Sequence, residues 1–241
     1  MEVAILSAGE GARLGFDKKL PKSFVEISGP TILSRQLECL RPFIVEGTVN
    51  STVHLVLGYG FENDPDPEST IRSLVDVPDE ISLNCLVLPY WRQTENAASA
   101  LAAVPSTRDD LLLFCGDVVF THSLLKTVVD QYSEECLPQG YSAVAAIEGV
   151  QDERTAVRWD EDRVIHEYGA IEGHQEAGIF VLNSNHFEEA GQIWINGAES
   201  EWFPIVFENL PTRAILVSSE DHGEINTQEH LKAVRKQFEN K

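Results

Sequence analysis

No run of about eighteen apolar residues occurs in this chain and no charged leader precedes its first apolar run, so neither membrane insertion nor secretion is expected. No C-x-x-C pair occurs either. Cys39, Cys85, Cys115 and Cys136 are widely spaced, a pattern expected of buried free thiols in a reducing cytoplasm. His54, His166 and His174 share no metal-ligand spacing, which argues against a zinc site. Basic residues are scarce: 18 Lys and Arg, only seven of them Lys, stand against 39 Asp and Glu, for a net charge of −21. That balance excludes nucleic acid and anionic membranes as partners, because both need a basic face. The acids are spread along the chain with no acidic tail, as expected of a protein from a halophilic source; an acidic protein of a low-salt cell is the alternative reading. Repeats, low-complexity tracts and linkers are also missing, and 241 residues suffice for one large domain with a substantial core.

What is present is concentrated in the first 27 residues. The apolar run Val3-Ala4-Ile5-Leu6 is short enough for a buried strand, and it ends in Ser7-Ala8-Gly9-Glu10-Gly11-Ala12-Arg13-Leu14. Glycines at a strand's carboxyl end let the backbone approach phosphate oxygens that a Cβ would hold off, although a tight turn alone would use the same two residues. Arg13 offers a planar fork of donors to a polyphosphate, and Lys22, after Pro21, offers a compact charge to a reacting phosphoryl group. The spacing is neither G-x-G-x-x-G nor G-x-x-x-x-G-K-[ST], so the dinucleotide and P-loop mechanisms do not apply.

Further along, short apolar strands alternate with helices. Helices are expected over 31–40, ended by Arg41-Pro42, and over 69–75 and 95–104; strands over 52–57, 81–88 and 111–115. The second half reads as a strand over 142–147, a hairpin of 154–159 with 164–168, a strand over 177–182, a helix over 201–209, a strand over 213–218 and a last helix over 227–238. This is an α/β pattern, a Rossmann-like, mostly parallel mixed sheet with helices on both faces, whose ligands gather at the carboxyl ends of the strands. Asp117 follows Gly116 at such an end. A carboxylate there suits Mg²⁺, which takes one or two carboxylates and keeps substrate oxygens and water, though strand-end aspartates also serve as turn formers and caps. Asn96 opens the 95–104 helix. Its amide can pair with a base edge, or the stretch is an ordinary helix start capped by Thr94.

The string Ala8-Gly9-x-Gly11-x-Arg13-Leu14, followed by Pro21-Lys22, resembles the signature of the nucleotidyltransferases that make nucleotide-activated sugars and alcohols. The resemblance implies the nucleotide-diphospho-sugar transferase fold, with 1–120 holding an NTP and 121–241 covering a phosphorylated acceptor within a single domain. It implies that Ala8, Gly9, Gly11 and Arg13 wrap the triphosphate, that Lys22 steadies the transfer, and that Asn96 lies in the base-reading loop. Asp117 matches the family's magnesium-binding aspartate. Gly223-Glu224-Ile225-Asn226-Thr227-Gln228-Glu229 is similar to its closing E-I-[DN]-T-P-E, which makes Asn226 the second metal ligand and leaves Gln228 where proline is usual. Glu167 and Glu176 match positions that contact acceptor hydroxyls, with solvated surface acids as the alternative. The expected activity is Mg²⁺-dependent transfer of an NMP group from NTP to a phosphorylated sugar or small alcohol. The string Glu95-Asn96-Ala97-Ala98-Ser99 points within the family toward cytidylyltransferases acting on phosphocholine or inositol phosphate. Cofactor guanylyltransferases and an idle nucleotide sensor are the other readings, and no motif specifies an oligomeric state.

Overall fold

The computed structural model describes residues 1–15, 19–104, 108–149, 155–170, 172–197 and 202–239. Four parallel strands build one half of the sheet: β1 (Glu2–Ser7) between β2 (Thr52–Leu57) and β4 (Leu111–Cys115), with β3 (Ser82–Val87) outside β2. The sheet continues through β9 (His174–Leu182), which runs antiparallel to both β4 and β6 (Ser142–Ile147), and ends at β10 (Thr212–Leu216), parallel to β6. The hairpin of β7 (Ala156–Trp159) and β8 (Ile165–Ala170) attaches to the start of β9, and β5 (Val118–Phe120) pairs with β11 (His222–Glu224) in a separate ribbon.

Alternation along β1 sends Val3 and Ile5 to one face and Ala4 to the other, and each face carries its own core. The first packs against α1 (Ile32–Val45), α2 (Pro67–Leu74) and α4 (His122–Gln131), through residues such as Leu37, Ile71 and Val128. The second packs against α3 (Asn96–Ala103), α5 (Phe187–Gly197) and the short α6 (Val206–Asn209). Ala97, Ala100 and Ala103 form the buried stripe of α3, small enough to bring that helix close to the sheet. The α/β architecture is therefore the expected one, helices on both faces of a mostly parallel sheet. A third core joins Leu14 and Val25 to Ile32, Val119, Ile225 and α7 (Gln228–Gln237), through Leu231 and Val234.

Several boundaries differ from the sequence expectations. Pro42 does not end α1. The carbonyl it leaves without a donor belongs to Glu38, an exposed residue of the helix, and buried Phe43 beyond holds the helix in register with the core. The Thr31 side chain accepts from Ser34 N at 3.0 Å and caps the start. Glu95, not Thr94, precedes α3, without a side-chain cap. The helices α4 and α5 and the ribbon of β5 and β11 have no counterpart in the sequence reading, while Arg154 and Glu201, expected to open a strand and a helix, fall outside the described residues. All four cysteines are free, Cys136 buried and the others partly so; burial pushes Cys39 up to about 12 and Cys85 and Cys136 up to about 11. Among the described residues no helix is long and apolar enough to cross a membrane.

Candidate functional site

At the carboxyl ends of β1 and β4 lies a cavity of about 560 Å³, lined by the glycine loop, Lys22, the Gly116-Asp117 turn, the start of α3, Glu176, Trp202 and the Glu224 to Asn226 segment. The loop after β1 turns through Gly11 at φ +65° and Gly15 at φ +63° around the short turn Ala12–Leu14. A Cβ on Gly9 would meet nothing within 4 Å, so its open side is free for a ligand. Gly11 has a different reason. A Cβ there would lie 2.3 Å from Lys22 Cγ, so the missing side chain is the channel through which the Lys22 stem passes. Leu14 is buried in the third core, and its carbonyl accepts from Gln228 Nε2 at 2.5 Å. The residue standing where the resemblance expects proline thus ties the loop to the first turn of α7, a bond proline could not make.

Lys22 Nζ donates to Asp117 Oδ2 at 2.9 Å and to Asn226 Oδ1 at 2.6 Å. Three residues far apart in sequence therefore converge on one cationic point. The Asn226 amide faces two ways: its oxygen meets Lys22, and its Nδ2 donates to Glu224 Oε1 at 2.5 Å. An aspartate at this place would set two carboxylates against each other, which accounts physically for the amide. One carboxylate and one amide oxygen directed at a common cation position are a donor set that fits Mg²⁺, since that ion uses few protein ligands. Among the described residues no group of three or more His, Cys, Asp or Glu is arranged to hold a metal.

Ser7 Oγ and Ser23 Oγ are buried at the cavity lining without a hydrogen-bond partner among the described residues. Sequence reasoning passed over both, because a lone serine at a strand end or in a short turn carries no signal until its burial is known.

Glu176 reaches the cavity through a bulge in β9. Phe180 pairs with Val144 and Glu176 with Ala146, so β9 takes four steps where β6 takes two, with Gly178 at φ +67° between them. The Glu176 carboxylate accepts from Gly178 N, and His222 Nε2 donates to Ala177 O at 2.9 Å to brace the bulge. Burial first, and the neighbouring Glu224 second, push the Glu176 carboxyl up to about 8. The folded protein thus keeps a proton that the unfolded chain loses near pH 4.3, so stability contributed by this group is lost as pH rises from about 5 to 8. Unfolding by denaturant in EDTA is expected to show the wild type losing up to about 1.4 kcal/mol per pH unit relative to Glu176→Gln across that window. Parallel curves for the two proteins would mean that Glu176 is already ionised at pH 5.

Glu167 is not brought to the cavity. It pairs across the β7–β8 hairpin with Arg158 at 3.0 Å and is 45% exposed, as a solvated acid would be. Asn96 does line the cavity, but its Oδ1 accepts from Phe203 N at 2.7 Å, so its carbonyl braces the Trp202-Phe203 turn and only the amide nitrogen is left for a base. Trp194 of α5 holds the same turn by donating to Phe203 O at 2.9 Å. Ala8, Gly9, Gly11, Arg13, Lys22, Asn96, Asp117, Glu176 and Asn226 all share the one lining.

No protein-family model matches the chain, and no curated protein matches it by sequence. Solved structures match over almost its whole length. The inositol-1-phosphate CTP transferase from T. maritima is 17% identical, with a TM-score of 0.75 over 99% of this chain and 95% of that one. The CTP:phosphocholine cytidylyltransferase from Streptococcus pneumoniae is 12% identical, with a TM-score of 0.68 over 98% of each chain. A nucleoside-diphosphate-sugar pyrophosphorylase from Vibrio cholerae is 10% identical, with a TM-score of 0.70 over 97% and 99%. The chain has the fold that these nucleotidyltransferases share.

Proposed function

We propose that this cavity is the active site of a nucleotidyltransferase, which moves an NMP group from an NTP to a phosphorylated sugar or small alcohol and releases pyrophosphate. The observation that carries the reading is the meeting of Lys22, Asp117 and Asn226 at one cationic point beside an open glycine loop. In the reaction an acceptor phosphate oxygen attacks the α-phosphorus, the new P–O bond forms, and the bond to the pyrophosphate oxygen breaks. Such a transfer needs in-line placement and charge neutralisation rather than a side-chain nucleophile. The backbone of Ala8 to Gly11 and the orphaned hydroxyls of Ser7 and Ser23 bind phosphate oxygens. Arg13 holds the triphosphate with its fork, and Lys22 offsets the charge that builds on the transferring group. Asp117 and Asn226 would hold Mg²⁺, which would supply further neutralisation of the phosphates; their oxygens accept from Lys22 in this structure, so the ammonium would turn toward the phosphates when the ion binds. Glu176, protonated at neutral pH, donates a hydrogen bond to the acceptor, and Trp202 covers it. Residues up to about 120, joined by Asn226, serve the nucleotide and the other later ones the acceptor, within one cytoplasmic domain.

Within this class, CTP with an alcohol-phosphate acceptor is favoured by the Glu95 to Ser99 string and by the two CTP enzymes among the structural neighbours. A pyrophosphate-release screen of the four NTPs against phosphorylated sugars and alcohols, run in molar KCl, tests both levels. Turnover with UTP or dTTP and a sugar phosphate alone would remove the cytidylyl reading. NTP binding without any pyrophosphate release would leave a sensor.

We also propose that the protein works in concentrated salt. The excess of 21 acidic over basic side chains leaves most surface acids without a counter-charge, and ions at molar concentration screen that repulsion within about 3 Å. If screening contributes ~2 kcal/mol, Tm is expected to rise by about 4–8 °C between dilute buffer and molar KCl. A melting curve indifferent to KCl would remove the halophilic reading and leave the enzymatic one untouched.

A further inference from the structure

Gln36 is a polar residue in the apolar face of α1, 1% exposed between the buried neighbours Leu33, Leu37 and Leu40. Its Nε2 donates to two carbonyls at once, Cys115 O at 2.9 Å and Val118 O at 2.9 Å. Those carbonyls flank Gly116-Asp117. The same turn is held by Gly116 N, which donates to Leu6 O at 2.9 Å, and by Asp117 O, which accepts from Ile225 N at 3.0 Å. Gly116 packs so tightly that a Cβ would lie 2.4 Å from Ser7 Oγ, so the turn has one seat only.

The Gln36 Oε1 atom, in contrast, is buried without a partner. Two neutral hydrogen bonds are offset by the cost of burying an unsatisfied oxygen, so the amide brings little net stability where an apolar side chain would serve the core. Its effect is geometric. Without the Nε2 donor, two carbonyls would face the first hydrophobic core unpaired, and the turn would rotate to hydrate them.

We propose that Gln36 is a positioning residue for the transfer reaction: from the back of the sheet it fixes the Cys115 to Val118 turn, so that the Asp117 carboxylate meets the cation position shared with Asn226. The inference rests on the reading of the cavity as a nucleotidyltransferase site. Gln36→Met keeps the length and removes both bonds. Leu37→Ala is the control, because it weakens the same helix by opening a cavity and leaves the turn bonded.

The readout is Mn²⁺ affinity by water-proton relaxation, counting the part of the signal that disappears in Asp117→Asn, with Tm measured beside it. Both variants are expected to lower Tm, but only Gln36→Met weakens Asp117-dependent Mn²⁺ binding, by about tenfold or to loss. Wild-type affinity in Gln36→Met, equal weakening in Leu37→Ala, or no Asp117-dependent Mn²⁺ binding in the wild type would each overturn the proposal. If Gln36→Met does not fold, Gln36→Glu takes its place under the same criteria, since it keeps the volume and offers one O–H donor when protonated. A wild type that binds Mn²⁺ at Asp117 yet releases no pyrophosphate from any NTP would sink the enzymatic reading, and the Mn²⁺ comparison would still decide the role of Gln36.

Discussion

Asp117→Asn is expected to leave turnover at about one part in a thousand or less of the wild type, the scale of losing a fixed charge at a phosphoryl-transfer site. The reason is local arithmetic. Around the cation position the structure brings one carboxylate, from Asp117, and one neutral amide, from Asn226. Replacing the carboxylate by an amide removes the charged donor that, alone among the described residues, pairs with Lys22 at that position, while the shape changes by a single atom. Lys22 would then face two amide oxygens, and the phosphates would gain no neutralisation from a bound ion. The opposite exchange separates charge from shape. Asn226→Asp restores an anionic donor but loses the bond from Nδ2 to Glu224 Oε1 and sets two carboxylates together. It is expected to remain active at saturating Mg²⁺, to bind Mg²⁺ more tightly, and to melt lower in EDTA than the wild type. Turnover against Mg²⁺ concentration for both variants checks this. A fully active Asp117→Asn, or an inactive but folded Asn226→Asp, would move the metal elsewhere, with Glu224 the next residue to replace.

Lys22→Ala is expected to cost about a hundredfold or more in turnover, near 2.7 kcal/mol of transition-state stabilisation, with the NTP still bound by the loop and Arg13. In the proposed reaction its ammonium offsets charge that builds on the transferring group. The stem threads the space left by Gly11 and its tip donates to two oxygens at the cavity, so the ammonium is held at the site and need only turn from those oxygens to the passing phosphoryl group. Part of the structural effect runs the other way, because Asp117 loses its ion pair; that pair is only 16% and 26% exposed at its two side chains, so a modest drop in Tm accompanies the loss. Steady-state kinetics with NTP and acceptor varied separately will show whether the loss falls on kcat, as expected for a group acting in the transition state, or on KM alone. Near-normal kcat at saturating NTP would show that Lys22 only binds substrate.

The cradle was legible because its signals are local. Two glycines past a strand, an arginine and a Pro-Lys pair lie within 22 residues, and turn chemistry acts over that distance. The alternation of strands and helices was legible for the same reason, through periodicity within single segments such as Thr52–Leu57, where expectation and structure coincide. The β5–β11 ribbon was not: three residues on each side show no period, and their pairing depends on segments about a hundred residues apart. The overrun of α1 past Pro42 was also hidden, because the usual helix-ending rule yields only when the freed carbonyl lies on the wet side, and that depends on how the helix is docked.

By itself the sequence determined the fold class, the glycine loop, and the list of groups able to meet phosphate and a cation, since residue type and near-neighbour spacing are enough for those. Only the tertiary structure decided which groups meet. Glu176 enters the cavity and Glu167 does not, although both are acids on strands consecutive in the chain, because one bulge around Gly178 turns β9 inward while the β7–β8 hairpin presents Glu167 to Arg158. Lys22 joins Asp117 and Asn226 across 95 and 204 residues of chain, and Gln36 reaches the Asp117 turn across 79 and 82. Contacts of that span follow from strand order and register, which are settled by burying two sheet faces at once, and no local pattern records them.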